Sequence, residues 1–326
     1  YALNLELFLE NAHHSFMEVN PVLIKEYKKS TTLRRTKTDS VDCESIARWL
    51  ITVEYKPHSK GFYHAYSLKS LTRLRDRLIR QRSFYLVKIT NVLDHTFPEF
   101  KPFFNERLSK TALYLLENYG SAEKMARMNS ASYDKLRCIS RGKFSIQQFL
   151  RLKELAANTV GVNNSIFDLE LNTLLTLYKS LSDEINTLET EIIKLIEEVH
   201  PHYMSIPGIG PISAAVIYAE YGDISNFSNP GQMLAFAGIE PGINDSGTES
   251  HGGRMVKHGS SQLRYVLLNA CLPLIRFDLT FATYYEKKRA EGKKHRVAIT
   301  HVAKKLIRVI YALERQDVDF NAQKLR

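Results

Sequence analysis

The 326-residue chain predicts a mainly α-helical protein with a short α/β opening, and three observations carry that prediction. Apolar residues recur at helical spacing along most of the sequence. Leu174, Tyr178, Leu181, Ile185, Leu188, Ile192, Leu195 and Val199 alternate four and three apart, a heptad seam sustained over more than three heptads. Only one short stretch, Ser15 to Val19, has the composition of a strand.

In chain order, Leu3, Leu5, Leu7, Phe8 and Leu9 predict a helix to Glu10, followed by the candidate strand and its stop at Asn20-Pro21. Pro21 to Ser30 reads as a second helix and Thr31 to Lys37 as a basic loop. Thr38 or Asp39 can then cap a helix running through Cys43, Ile46, Ala47 and Leu50. Asp39 and Asp42 lie three apart at its start and project to the same side. The helix from Leu68 to Leu93 is the most basic, with Lys69, Arg73, Arg75, Arg77, Arg80, Arg82 and Lys88 against the single acid Asp76. Pro98 and Pro102 punctuate its end, and Lys110 to Ala157 breaks into short helices at Asn118-Tyr119-Gly120 and Ser140-Arg141-Gly142. The heptad helix follows, as a coiled coil or as one arm of a hairpin packed on an earlier helix, and His200-Pro201 ends it.

Beyond it, Gly208-Ile209-Gly210 has the pattern of a helix-hairpin-helix turn, whose N–H groups can meet a phosphate at a helix N-terminus. The same pattern reads equally as a tight turn between packed helices. Asn229-Pro230 opens a helix through Ala237, and a polar loop containing Ser246-Gly247 and Gly252-Gly253 leads to Ser260 and Ser261, which can cap the next helix. The last third is helical and basic, with Lys287-Lys288-Arg289 and Lys293-Lys294-His295-Arg296.

The formal net charge of +10 calls for a polyanionic partner, since clustered Lys and Arg attract phosphates and release their counterions. From Ser165 to Val199 two lysines face eight acids, a local net of −6, so the other residues carry +16 and the acidic helix is the wrong surface for DNA. Cys43, Cys138 and Cys271 are scattered, which excludes a disulfide framework and a zinc pattern and implies a reducing, cytoplasmic setting. No apolar run is long enough to span a bilayer. The chain opens on Tyr1 in mid-pattern, so its natural N-terminus is expected upstream.

Two constellations can carry chemistry. Asp39 and Asp42 can share a divalent cation such as Mg²⁺, or can simply satisfy N–H groups in the first turn of a helix. Ser246 offers a hydroxyl in a glycine-flexible, cation-rich loop, with Ser250 as second candidate and an ordinary turn as the alternative. Four collinear blocks go further: Asn20-Pro21-Val22 through Ala47, Pro241 with Ser246-Gly247, Lys257-x-Gly259-Ser260-x-x-Leu263-Arg264, and Gly292 through Leu306. Together they resemble the DEDD-type insertion-sequence transposases of the bridge-RNA-guided, Piv-like class.

That resemblance implies the C-terminal part of a RuvC-like, RNase H-type domain over 1–105, a helical coiled-coil region over 106–200 and a serine-containing transposase domain over 201–326. Asp39 and Asp42 match the third and fourth acids of an Mg²⁺-binding set whose first Asp and Glu would precede Tyr1, so the chain alone is expected to be inactive. Ser246 matches the nucleophile, and Gly208, Gly210, Arg254, Lys257, Arg264, Lys293 and Lys294 are the implied nucleic-acid contacts. The implied partners are donor and target DNA, a structured guide RNA and further copies of the chain in a dimer or tetramer, with no membrane. A non-catalytic nucleic-acid-binding protein and an inactive transposase relic are the alternatives.

Overall fold

The computed structural model describes residues 2–17, 19, 21–31, 38–55, 62–105, 108–246, 249–257 and 259–325, with the backbone alone at 2, 62–64, 241–246, 249–254 and 324–325. It divides into two compact units, residues 1–63 and 64–326.

The first unit holds α1 (Ala2–Asn11), α2 (Pro21–Thr31) and α3 (Asp39–Thr52). The expected strand over Ser15 to Val19 does not form: its described residues are irregular, and no partner strand occurs among the described residues of this unit. Instead α1 closes with His14 N–H donating to Leu9 O at 2.8 Å while His13 turns left-handed, a glycine-type helix stop made without glycine. Thr38, not Asp39, caps α3, its hydroxyl accepting from Val41 N.

The second unit is built on α4 (Phe62–Thr96) and α10 (Ser165–Val199), which run antiparallel. Arg75 meets Glu189 at 2.5 Å near one end, and the His95 ring stacks 5.8 Å from Phe167 near the other. Between them in sequence come α5 (Phe100–Phe103), α6 (Lys110–Tyr119), α7 (Ala122–Ala126), α8 (Ser130–Ile139) and α9 (Ile146–Ala157). Ser109, Ser121, Asn129 and Ser145 cap the last four of these helices, Ser145 in a reciprocal capping box with Gln148, so local chemistry sets their boundaries. Leu171 and Leu175 of α10 join Ile89, Val92, Leu93 and Phe97 in the core of this module.

The other end of α10 serves a second core. Ile192 and Ile196 pack with Leu68 and with α11 (Pro211–Tyr221), α12 (Pro230–Ala237), α13 (Ser261–Phe277), α14 (Leu279–Ala290) and α15 (His295–Gln316). Of the heptad seam, Leu174 and Tyr178 pack on the first core and Ile192 and Leu195 on the second, while Val199 is exposed. The amphipathic helix α15 buries Val302, Leu306, Ile307 and Ile310 on one side, each worth about 1.5–3 kcal/mol of hydrophobic stabilisation. No single described helix is long and apolar enough to cross a membrane.

Candidate nucleic-acid interface

Helix α12 starts at Asn229, whose side chain accepts from Gln232 N, and ends at Gly238 in the left-handed region, φ 65°. There the chain enters a two-stranded antiparallel hairpin, β1 (Pro241–Ser246) and β2 (Glu249–Met255). The sequence reading expected a loop over this stretch. The strands were hidden because glycines replace the β-branched residues that mark a strand, leaving only the two-residue connection as a hairpin signal. Ser246 is the last residue of β1 and pairs with Glu249 across the tip; Gly247 lies outside the described residues, as does the side chain of Ser246. Near the base, Gly253 and Arg254 face Gly242 alone, a bulge that turns the ribbon; the Arg254 side chain also lies outside the described residues.

The hairpin base is fixed by backbone and by one arginine. Val256 N–H donates to Glu240 O at 3.0 Å and Lys257 N–H to Gly238 O at 3.3 Å, with Lys257 itself left-handed at φ 56°. A Cβ on Gly259 would sit 1.8 Å from Phe236 O, and one on Gly238 2.8 Å from both Arg264 Nη1 and Gly259 N. Only glycine permits that crossing. Arg264 Nη1 donates to Ala237 O at 3.1 Å, so this cation, expected beside a phosphate, spends a donor on holding the hairpin's foot. Ser260 caps α13 by accepting from Leu263 N.

Helix α15 packs on α12 and α13, the two helices that flank the hairpin. Burial lowers the Lys304 pKa, while Glu240 at the hairpin base opposes the shift and Arg308 adds to it. His301 is pushed down first by burial, then by Lys304, Lys288 and Lys293. Lys293 is half-buried and its carbonyl accepts from Arg289 Nη1 at 2.7 Å, whereas Lys294 at the start of α15 is exposed.

Gly208 and Gly210 separate into different roles. Gly208, φ 97°, abuts α13: a Cβ there would lie 2.6 Å from Pro273 Cγ and 3.1 Å from Ala270 O. Gly210 caps α11 at φ −79° with nothing within 4 Å of a Cβ, and no side chain caps that helix. The first glycine packs, and the second leaves a helix N-terminus open to an anion.

In the first unit, Asp39 and Asp42 occupy the first turn of α3. Asp42 Oδ1 accepts from Lys28 Nζ at 2.5 Å, while Asp39 is exposed with no ion pair among the described residues. No cluster of three or more His, Cys, Asp or Glu suited to a metal occurs among the described residues. Two carboxylates on one turn match the oxygen chemistry of Mg²⁺, and Lys28 competes for one of their oxygens.

Sequence reasoning missed Glu220. This buried carboxylate of α11 accepts from Arg73 Nε at 2.9 Å and Nη2 at 3.1 Å, with Lys69 Nζ 4.0 Å away. Together with Arg75–Glu189 and Arg80–Asp76, it shows that the most basic helix is partly neutralised from within. A lone acid in the apolar run of α11 was the available signal.

Two family profiles match the chain. The DEDD transposase profile of IS110 type covers residues 1–98, and the transposase IS116/IS110/IS902 family profile covers residues 201–286. An uncharacterised 43.6 kDa protein of insertion element IS110 from Streptomyces coelicolor is 27% identical over 72% of this chain and 60% of its own length. An uncharacterised 42 kDa protein of IS900 from Mycobacterium paratuberculosis is 28% identical over 86% and 71%. The transposase of IS1111A from Coxiella burnetii is 25% identical over 79% of this chain and 59% of its own length. With both profiles in order and together spanning more than half of its residues, the chain belongs to the IS110/IS116 family of insertion-sequence transposases.

Proposed function

We propose that this chain cuts and rejoins DNA at the ends of an insertion sequence, with Ser246 as nucleophile. The observation that carries the reading is the hairpin: its base is clamped by Gly238, Gly259 and Arg264, Ser246 is the last residue of its first strand, and α15 packs on the two helices that flank it. In this reaction Ser246 Oγ attacks a DNA phosphorus in line and loses its proton, and a phosphoserine ester forms as a deoxyribose oxygen departs and takes up a proton. Attack by the hydroxyl of a second strand then releases the serine, so the phosphodiester bond is conserved. Lysines 257, 293, 294 and 304 and the open α11 N-terminus at Gly210 would neutralise phosphate charge.

Asp39 and Asp42 are the residues that would hold Mg²⁺. When bound, such an ion supplies charge neutralisation at the displaced and attacking oxygens. A structured guide RNA and a dimeric or tetrameric assembly belong to the same proposal, supported by the family resemblance and, for the RNA, by the net charge of +10.

The test is a covalent-adduct assay on protein made from the complete reading frame, with Mg²⁺, element-end DNA and candidate guide RNA. A protein–DNA species that survives denaturation and disappears in Ser246→Ala and Asp39→Ala is the expected result. Tight binding with no adduct in the unmutated protein would leave a nucleic-acid-binding protein instead.

A further inference from the structure

The module between α4 and α10 lies outside both family profiles, which end at residue 98 and resume at 201. Its own chemistry is nonetheless one-sided. From Asn129 to Lys153 there are six cations, Lys135, Arg137, Arg141, Lys143, Arg151 and Lys153, and one acid, Asp134. Lys153 is already committed, its Nζ donating to Met128 O and lying over the Phe149 ring. The other five are exposed and have no ion-pair partner among the described residues. This contrasts with α4, where Arg73, Arg75 and Arg80 are neutralised by acids of this chain.

Three of the five converge on one turn. Gly142 N–H donates to Arg137 O at 2.8 Å, Arg141 N–H to Cys138 O at 3.0 Å and Lys143 N–H to Ser140 O at 3.2 Å. Those bonds fold 137–143 into a tight knot and mask the carbonyls that end α8, which would otherwise repel an anion. Arg141 stands at φ 53° and Gly142 at φ 77°. An arginine in the left-handed region is disfavoured where glycine or asparagine would relax the backbone, so its charge is kept against a conformational cost.

We propose that the α8–α9 turn, through Arg137, Arg141 and Lys143, is a docking site for the phosphate backbone of duplex DNA away from the reacting ends. The inference rests on the reading that the chain acts on DNA. Cations packed onto one turn suit a duplex, whose phosphates bring about one charge per 1.7 Å of axis, better than an extended single strand.

The experiment measures the salt dependence of affinity for a random-sequence DNA duplex, using the whole chain, against an RNA hairpin of equal charge. The triple variant Arg137→Ala/Arg141→Ala/Lys143→Ala should weaken duplex binding roughly tenfold at moderate salt and flatten the log–log salt slope by about 2–3, near 0.9 per lost phosphate contact. Arg141→Gly should flatten it by about 1 while Tm holds or rises, separating lost charge from lost fold. An unchanged duplex slope in both variants overturns the proposal, and a loss confined to the RNA hairpin overturns its assignment to DNA. Ser246→Ala should keep the unmutated slope, so a failed adduct assay leaves this site standing, and an adduct with an unmoved slope removes this site alone.

Discussion

The guanidinium of Arg73 grips the buried carboxylate of Glu220 through two hydrogen bonds, tying the long basic helix α4 to the apolar helix α11. Removing the arginine leaves a desolvated carboxylate with only Lys69, 4.0 Å away, in compensation. Arg73→Ala should destabilise the chain by about 3 kcal/mol because it strands the buried carboxylate, and Glu220→Ala by less, because the half-exposed arginine it leaves can reach water. The double variant Arg73→Met/Glu220→Met should recover much of that, because no charge is then stranded. Urea unfolding of the four proteins checks it, and strictly additive losses would refute the coupling.

The two ends of the glycine series should part company. Gly259→Ala forces a methyl onto the Phe236 carbonyl and should cost at least about 2 kcal/mol, and Gly208→Ala should cost a similar amount against Pro273. Gly210→Ala meets nothing within 4 Å at an ordinary φ, so it should cost no more than about 1 kcal/mol, the preference of a helix N-cap for glycine over alanine. If the α11 N-terminus takes a phosphate, Gly210→Ala should still weaken DNA binding. Thermal melts paired with binding titrations separate the two effects, and a Gly210→Ala protein destabilised as much as Gly259→Ala would contradict the packing argument.

These contrasts show which parts of the molecule the sequence could reveal. The helix breaks at Asn118-Tyr119-Gly120 and Ser140-Arg141-Gly142 were legible from their turn residues, whereas the boundary at Asn129 was not. What covers the heptad seam was not legible, because Leu174 and Ile192 carry the same pattern whichever helix packs on them. The hairpin around Ser246 escaped notice because its pairing is made by backbone groups on glycine-rich strands, which leaves no alternating side-chain signal. The Arg73–Glu220 ion pair depends on elements far apart in sequence, and spacing along the chain does not encode it.

Lys28 and Asp42 give the metal proposal a readout independent of catalysis. The ammonium and a divalent ion compete for Asp42 Oδ1, so Lys28→Ala should raise Mg²⁺ affinity several-fold, and Asp42→Asn should lower it and cancel the gain. Mn²⁺ binding followed by paramagnetic resonance reports both. Equal affinities in all three proteins would remove Asp42 from the ligand set.

His202 makes the attachment of the C-terminal segment depend on pH. Its Nδ1 lies 2.9 Å from Asp319 and its Nε2 2.9 Å from Asp317, and these two carboxylates, Asp319 first, raise the imidazole pKa above 6.5, with Glu314 acting in the same direction. A raised histidine pKa stabilises the folded state fully below pH 6.5, and the contribution is lost as pH climbs through the higher folded value. Phe320 N–H, which donates to Ser205 Oγ at 2.8 Å, is the local reporter. Its hydrogen-exchange protection, corrected for the intrinsic rate, should fall between pH 6 and pH 8.5 in the unmutated protein. In His202→Gln it should be weaker and flat over that interval. Because the histidine and both aspartates are partly exposed, the global Tm should move little while this one amide responds, and an amide equally protected at both pH values would mean that packing of Val318 and Phe320, not the imidazolium, holds the segment.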